Sequence, residues 1–192
     1  MLSILDDSPR QSIFVSNDLL EPWSGKVKWG LETFAGEVLI SGDAPVNAPP
    51  QTSTLVEKLD FSDQVNDDNM RTLVFIAELW QGEQFISRST AYFVPIKHLS
   101  LVDPSISVNA ETRDGELSVG VTSRSLALLV EVSLSDADVV FSDNYFNTPA
   151  GRTVEISCPL PAGWTLSQAK EAIRVRSVFD SYSHPATNEQ SS

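Results

Sequence analysis

What most limits the folds open to this chain is its apolar patterning. Short runs alternate apolar with polar residues, and each run is cut off by glycine, proline, asparagine or aspartate. A period of two places successive side chains on opposite faces, so each run predicts a strand with one buried face. In Lys26–Leu31, Val27, Trp29 and Leu31 share one face and the two lysines take the other. Ser12–Val15 predicts the first clear strand, ending at Ser16-Asn17-Asp18. Glu37–Ile40 follows the Ala35-Gly36 turn, and Thr52–Leu59 follows the Pro49-Pro50 break. Arg71–Trp80 and Phe85–Val94 predict a hairpin closed by Gln81-Gly82, with Leu73, Phe75, Ala77 and Leu79 in one row and Trp80 opposite them.

A second block of strands starts after Pro95. Ile106–Val108 and Glu116–Thr122 flank Asp114-Gly115, a strong hairpin signal because tight turns need the positive φ that glycine accepts. Leu117, Val119 and Val121 point inward, as do Leu128, Val130, Val132 and Leu134 on the next strand. Val154, Ile156 and Cys158 form a further inward row, and Ile173–Phe179 is the last strand. One helix is expected, where Thr165 and Gln168 fit a capping box ahead of Ala169–Ala172. The sum is an all-β chain of two consecutive immunoglobulin-like antiparallel β-sandwiches, each of about 90 residues. Their expected bounds are 1–95 and 96–183, with residues 184–192 forming a disordered tail.

Composition removes several classes of function. The net charge of −13 argues against a nucleic-acid partner, which needs clustered Lys and Arg, and against an anionic membrane surface. The longest apolar runs, such as Leu126–Val130, are far too short to span a bilayer. A single cysteine, Cys158, leaves no internal disulfide framework. With no basic segment and apolar stretch of signal-peptide type at the start, this favours a soluble, cytoplasmic protein.

Chemistry-bearing residues are sparse and poorly grouped. His98 and His184 are the two histidines, and neither accompanies a nucleophile elbow. Cys158 alternates with Val154 and Ile156, which marks it as a small core residue rather than a thiolate. Asp63, Asp67, Asp68 and Asn69 gather oxygen ligands in one loop, and Asp136, Asp138 and Asp143 in another. Both lack the ligand order and central glycine of a calcium loop and read as solvated turns. No catalytic residue, metal site or cofactor is therefore expected. Trp29 belongs to a core face. Trp23, Trp80 and Trp164 remain as candidates for contact with a sugar ring or with a neighbouring domain, Trp23 and Trp164 in expected loops.

The segment Phe141-Ser142-Asp143-Asn144-Tyr145-Phe146, followed by Asn147-Thr148-Pro149-Ala150-Gly151, resembles a signature in the last domain of β-mannosidases of glycoside hydrolase family 2. Gly25–Trp29 with Phe34–Leu39 resembles the opening of their penultimate sandwich, and Phe93–Leu99 the junction into the terminal domain. The resemblance implies a parent enzyme that removes terminal, non-reducing β-D-mannose with retention. Its two glutamates lie on an α/β barrel, the acid/base after an asparagine. No barrel pattern exists here, and the lone Asn188-Glu189 pair falls in the polar tail.

On this reading the chain is the non-catalytic C-terminal accessory region, with the parent's barrel as partner in cis. Ser142, Asp143, Asn144, Tyr145 and Phe146 are expected to be structural. Asp143 and Asn144 would shape a turn, and Tyr145 and Phe146 would anchor it to the core. The alternatives are a carbohydrate-binding module that takes mannosides or other glycans, and a stand-alone adhesion or interaction module.

Overall fold

The computed structural model describes residues 1–183. The chain divides into two compact units, Met1–Ser100 and the part from Leu101 onward. The expected tail, 184–192, and with it His184 and Asn188-Glu189, lie outside the described residues.

The first unit is a sandwich of seven strands: β1 (Leu2–Asp7), β2 (Arg10–Asn17), β3 (Trp23–Thr33), β4 (Val38–Ala48), β5 (Thr52–Asp60), β6 (Leu73–Gln81) and β7 (Gln84–Tyr92). One sheet runs β1-β2-β5 and the other β4-β3-β6-β7, every pair antiparallel. Ile13 and Val15 from the first sheet meet Val27, Leu31, Phe75, Ala77 and Leu79 from the second. Phe61 joins them, its ring 5.2 Å from Phe75 and 6.2 Å from Trp29. The inward row predicted for β6 is thus confirmed. Val74 and Ile76, on the opposite face of β6, are also only 1 % exposed.

The second unit contains β8 (Ser107–Arg113), β9 (Glu116–Thr122), β10 (Ala127–Leu134), β11 (Phe146–Thr148), β12 (Thr153–Pro159) and β13 (Ile173–Arg176). Its sheets run β12-β9-β8 and β11-β10-β13. Leu117, Val119, Val121, Ile156 and Cys158 face Val130, Val132 and Leu134 across the core. Leu117, Val119 and Val121 are each fully buried. Each such side chain stabilises the fold by about 1.5–3 kcal/mol through removal from water. Asp114 (φ 53°) and Gly115 (φ 82°) turn β8 into β9 with two consecutive left-handed residues, as the hairpin signal requires. Helix α1 (Leu166–Ala172) opens on the expected capping box, with Thr165 and Gln168 bonded reciprocally.

Three expectations are corrected. β1 was not foreseen. It pairs with β2 from Leu2↔Val15 to Asp7↔Arg10 across a tight turn at Ser8-Pro9, so proline serves as a hairpin turn and not as a strand breaker. β4 does not stop at Ile40 but runs on to Ala48 through Gly42 and Pro45. It is an edge strand, where the missing N–H of proline can face the open side. The last strand stops at Arg176, and residues Val178–Ser183 form a second helix, α2. Asp180 causes the break: its carboxylate accepts from the Ser177 N–H at 2.7 Å and the Ser177 hydroxyl at 3.0 Å, which starts a helix turn in place of a strand residue. The Ser177-x-x-Asp180 spacing is the sequence signal that could have revealed it.

Candidate functional site

The Ser142–Phe146 segment bonds to one strand of each sheet of the second unit. Ser142 bonds β12 twice: its N–H donates to the Ser157 carbonyl at 2.7 Å, and its hydroxyl accepts from the Ser157 N–H at 3.0 Å. Asp143 accepts the Asn144 N–H at 2.8 Å and so closes the turn. The Asn144 side chain then reaches β10. Its Oδ1 accepts from the Val132 N–H at 2.8 Å, and its Nδ2 donates to the Val132 carbonyl at 3.0 Å. In the β10–β11 ladder Val130 faces Phe146, so Val132 would next face residue 144. An amide side chain offers an N–H donor and a carbonyl acceptor side by side, as a peptide-bonded residue does. Asn144 therefore stands in for the backbone rung that the chain gives up in turning away.

That departure is visible at Tyr145, whose φ is 59°. The expected role of Tyr145 as a core anchor is corrected: its side chain is 61 % exposed, with the hydroxyl donating to Glu131 Oε1 at 3.3 Å. A left-handed residue points its side chain away from the sheet face that its neighbours fill. Phe146, back in extended conformation, does pack on the core. Asn147 repeats the side-chain clamp one step along, its Oδ1 accepting from the Leu129 N–H at 3.0 Å. There β10 carries a bulge and Leu129 has φ 47°.

The three candidate tryptophans are not brought together. Trp23 is the first residue of β3 and not a loop residue. It is half-buried against the first core, with its ring lying over Gly25, where an added Cβ would sit 2.2 Å from Cη2. Trp80, on β6, is half-buried between the Phe85 ring, 5.5 Å away edge-on, and the Lys28 ammonium, 4.4 Å from its centroid. Its indole N–H is buried and has no hydrogen-bond acceptor. Trp164, in the loop before α1, packs half-buried on the second core. Trp29 adds a 2.7 Å bond from Nε1 to Glu57 to its core packing.

The remaining candidates have structural work to do. His98 is exposed, and its carbonyl accepts from the Arg71 guanidinium at 2.6 Å. Burial pushes the Cys158 thiol up, and the nearby Glu116 charge adds to this, so the thiolate is disfavoured in a core position. In the acidic loop, Asn69 Oδ1 accepts from the Asn66 N–H at 2.8 Å, and its Nδ2 donates to the Gln64 carbonyl at 2.8 Å. Asp136 accepts from the Ser135 hydroxyl. Among the described residues no cluster of His, Cys, Asp or Glu is arranged to hold a metal ion. No helix among them is long and apolar enough to cross a membrane.

Sequence reasoning missed the groove beside Tyr145. It has a volume of about 730 Å³ and is lined by Leu129, Glu131, Tyr145, Arg176 and Asp180, among others. Register places Glu131 directly opposite Arg176 on β13. The missing signal is backbone conformation, which residue identity does not reveal at Leu129 or Tyr145.

Comparison with known proteins agrees with the two-unit architecture. Residues 10–98 match the family model of a mannosidase Ig/CBM-like domain, and residues 101–181 that of an Ig-fold domain. No curated protein matches the chain in sequence. Among solved structures, the β-D-mannosidase of Dictyoglomus thermophilum superposes with a TM-score of 0.81 and 19 % identity over 93 % of this chain and 21 % of that one. The exo-chitosanase CsxA of Amycolatopsis orientalis superposes with a TM-score of 0.58 and 16 % identity over 92 % of this chain and 25 % of that one. The chain thus spans a quarter or less of the length of these structural relatives. Residues 10–98 thus match the mannosidase Ig/CBM-like domains and residues 101–181 the Ig-fold domains, two consecutive immunoglobulin-like domains.

Proposed function

We propose that the chain is the non-catalytic, C-terminal accessory region of a family 2 β-mannosidase, which hydrolyses terminal β-D-mannose with retention. The observation that carries this reading is the ordered match of both units, 10–98 then 101–181, to mannosidase-type domain families. The distribution of chemistry supports it. Asp136 bonds its neighbour Ser135, Asp143 closes a turn, Asp180 starts a helix, and the buried Cys158 fills a core position. The parent's catalytic barrel is the partner in cis, and the half-buried surface around Trp80 is a fitting one for it. A cytoplasmic setting would keep Cys158 reduced.

Two experiments test the proposal. Expressed alone, the chain should fold and leave an aryl β-mannoside intact. Turnover abolished by one carboxylate substitution within it would overturn the non-catalytic assignment. Sequencing the source locus upstream of the Met1 codon should find an in-frame barrel-coding region with a strand-end Asn-Glu. A stop codon there would move the weight to an independent module.

The family description of residues 10–98 as Ig/CBM-like favours one second reading, a carbohydrate-binding module. Glycan binding lost on replacing Trp23 or Trp80 would support it.

A further inference from the structure

Five non-glycine residues among those described have a positive φ: Gln51, Ser105, Asp114, Leu129 and Tyr145. The first three are polar residues in turns or loops. Leu129 and Tyr145 are bulky, and side chains of that size strongly disfavour the left-handed region. Both are nonetheless exposed, at 44 % and 61 %. Each is held by an asparagine side chain, Asn147 on the Leu129 N–H and Asn144 on the strand beside Tyr145. Both line the same groove of about 730 Å³, within the size range of small-molecule sites. Core packing does not explain this arrangement, because the strain turns apolar surface outward. Strained backbone that presents a side chain to a concave surface is a marker of binding sites.

The groove also carries polar groups suited to hydroxyls. Glu131 stands opposite Arg176 across the β10–β13 pair and reaches the Tyr145 hydroxyl at 3.3 Å. Asp180 uses one oxygen, Oδ2, for Ser177, and its Oδ1 is the remaining acceptor. Two carboxylates and one guanidinium give the groove a net negative charge, on a chain of net charge −13. This repels anionic ligands. An aromatic face with aliphatic flanks and both donors and acceptors matches a polyhydroxylated ring, whose C–H face is apolar and whose edge is polar.

We propose that this groove binds a neutral oligosaccharide, with Tyr145 as the ring platform and Glu131 and Arg176 as hydroxyl partners. The site lies wholly in the second unit and stands whether or not the parent enzyme is a mannosidase.

The test exploits the backbone at residue 145. Glycine accepts φ 59° freely, so Tyr145→Gly removes the ring and keeps the fold. Backbone amide shifts of the full chain are followed by NMR during titration with mannotriose or cellotriose. A hexuronate trimer serves as the anionic comparator. The expected result is millimolar binding of a neutral trimer, with shifts grouped at Leu129, Glu131, Tyr145 and Arg176. Tyr145→Phe retains binding, and Tyr145→Gly weakens it by about tenfold or more while thermal stability holds or rises. Absence of shifts with both neutral trimers overturns the proposal. So does binding unchanged by Tyr145→Gly, or a preference for the hexuronate trimer.

Discussion

If Asn144 replaces a backbone rung, its removal should unpin β10 from the turn that precedes β11. Asn144→Ala takes away both bonds to Val132, at 2.8 and 3.0 Å, and a weaker one from the Tyr145 N–H at 3.2 Å. Two such bonds contribute about 1 kcal/mol each in net terms. Val132 is 1 % exposed, so its N–H and C=O lose their partners where water reaches them poorly, which adds about 1 kcal/mol or more each. The expected loss is about 4 kcal/mol, equivalent to a fall in melting temperature of roughly 15–30 °C for a unit of this size. Asn144→Asp should cost nearly as much, because a carboxylate still accepts the Val132 N–H but opposes its carbonyl. Urea unfolding followed by circular dichroism gives the free energy, and hydrogen exchange at the Val132 amide localises it. A loss below about 0.5 kcal/mol with unchanged Val132 protection would refute the surrogate-rung argument.

Other consequences of the structure are open to direct measurement. Tyr145→Gly should stabilise the second unit by up to about 1 kcal/mol in urea unfolding, since the strain at φ 59° exceeds the small loss of exposed side-chain contact. Thr165→Ala breaks the capping box of α1 and should cost about 1 kcal/mol by the same assay. Gly25→Ala would place a methyl 2.4 Å from the Trp80 carbonyl, a backbone atom that cannot step aside. It should lower stability by about 2 kcal/mol or more and perturb tryptophan fluorescence. Burial pushes the Tyr92 hydroxyl up to about 12, with the Thr90 hydroxyl pulling the other way. Because the folded state holds this proton more tightly than the unfolded chain, the stabilisation is complete below pH 10 and is lost as pH rises toward 12. Tyr92→Phe should flatten that part of the unfolding-versus-pH curve, and an unchanged curve would assign the alkaline loss to other groups.

The alternation of apolar residues is local information, and it sufficed for most strands. Leu117, Val119 and Val121 must face inward wherever their strand lies, because a one-residue slip would expose all three. Asp114-Gly115 and Thr165-x-x-Gln168 were equally legible, since turn and cap chemistry acts within four residues. The family-like segment at Ser142–Phe146 was visible as a string of residue types, and its role as a turn followed from Asp143 and Asn144. Its three-dimensional work did not. That the Asn144 amide completes a ladder with Val132 depends on a strand twelve residues earlier in sequence. The outward placement of Tyr145 depends on a φ that nothing in its identity favours. Pro45 could pass through β4 only because β4 became an edge, a matter of strand order. Sequence thus determined which residues seek burial and where the chain turns. The pairing of distant strands decided which backbone groups were left to be satisfied by side chains, and so which aromatic ring was turned to solvent.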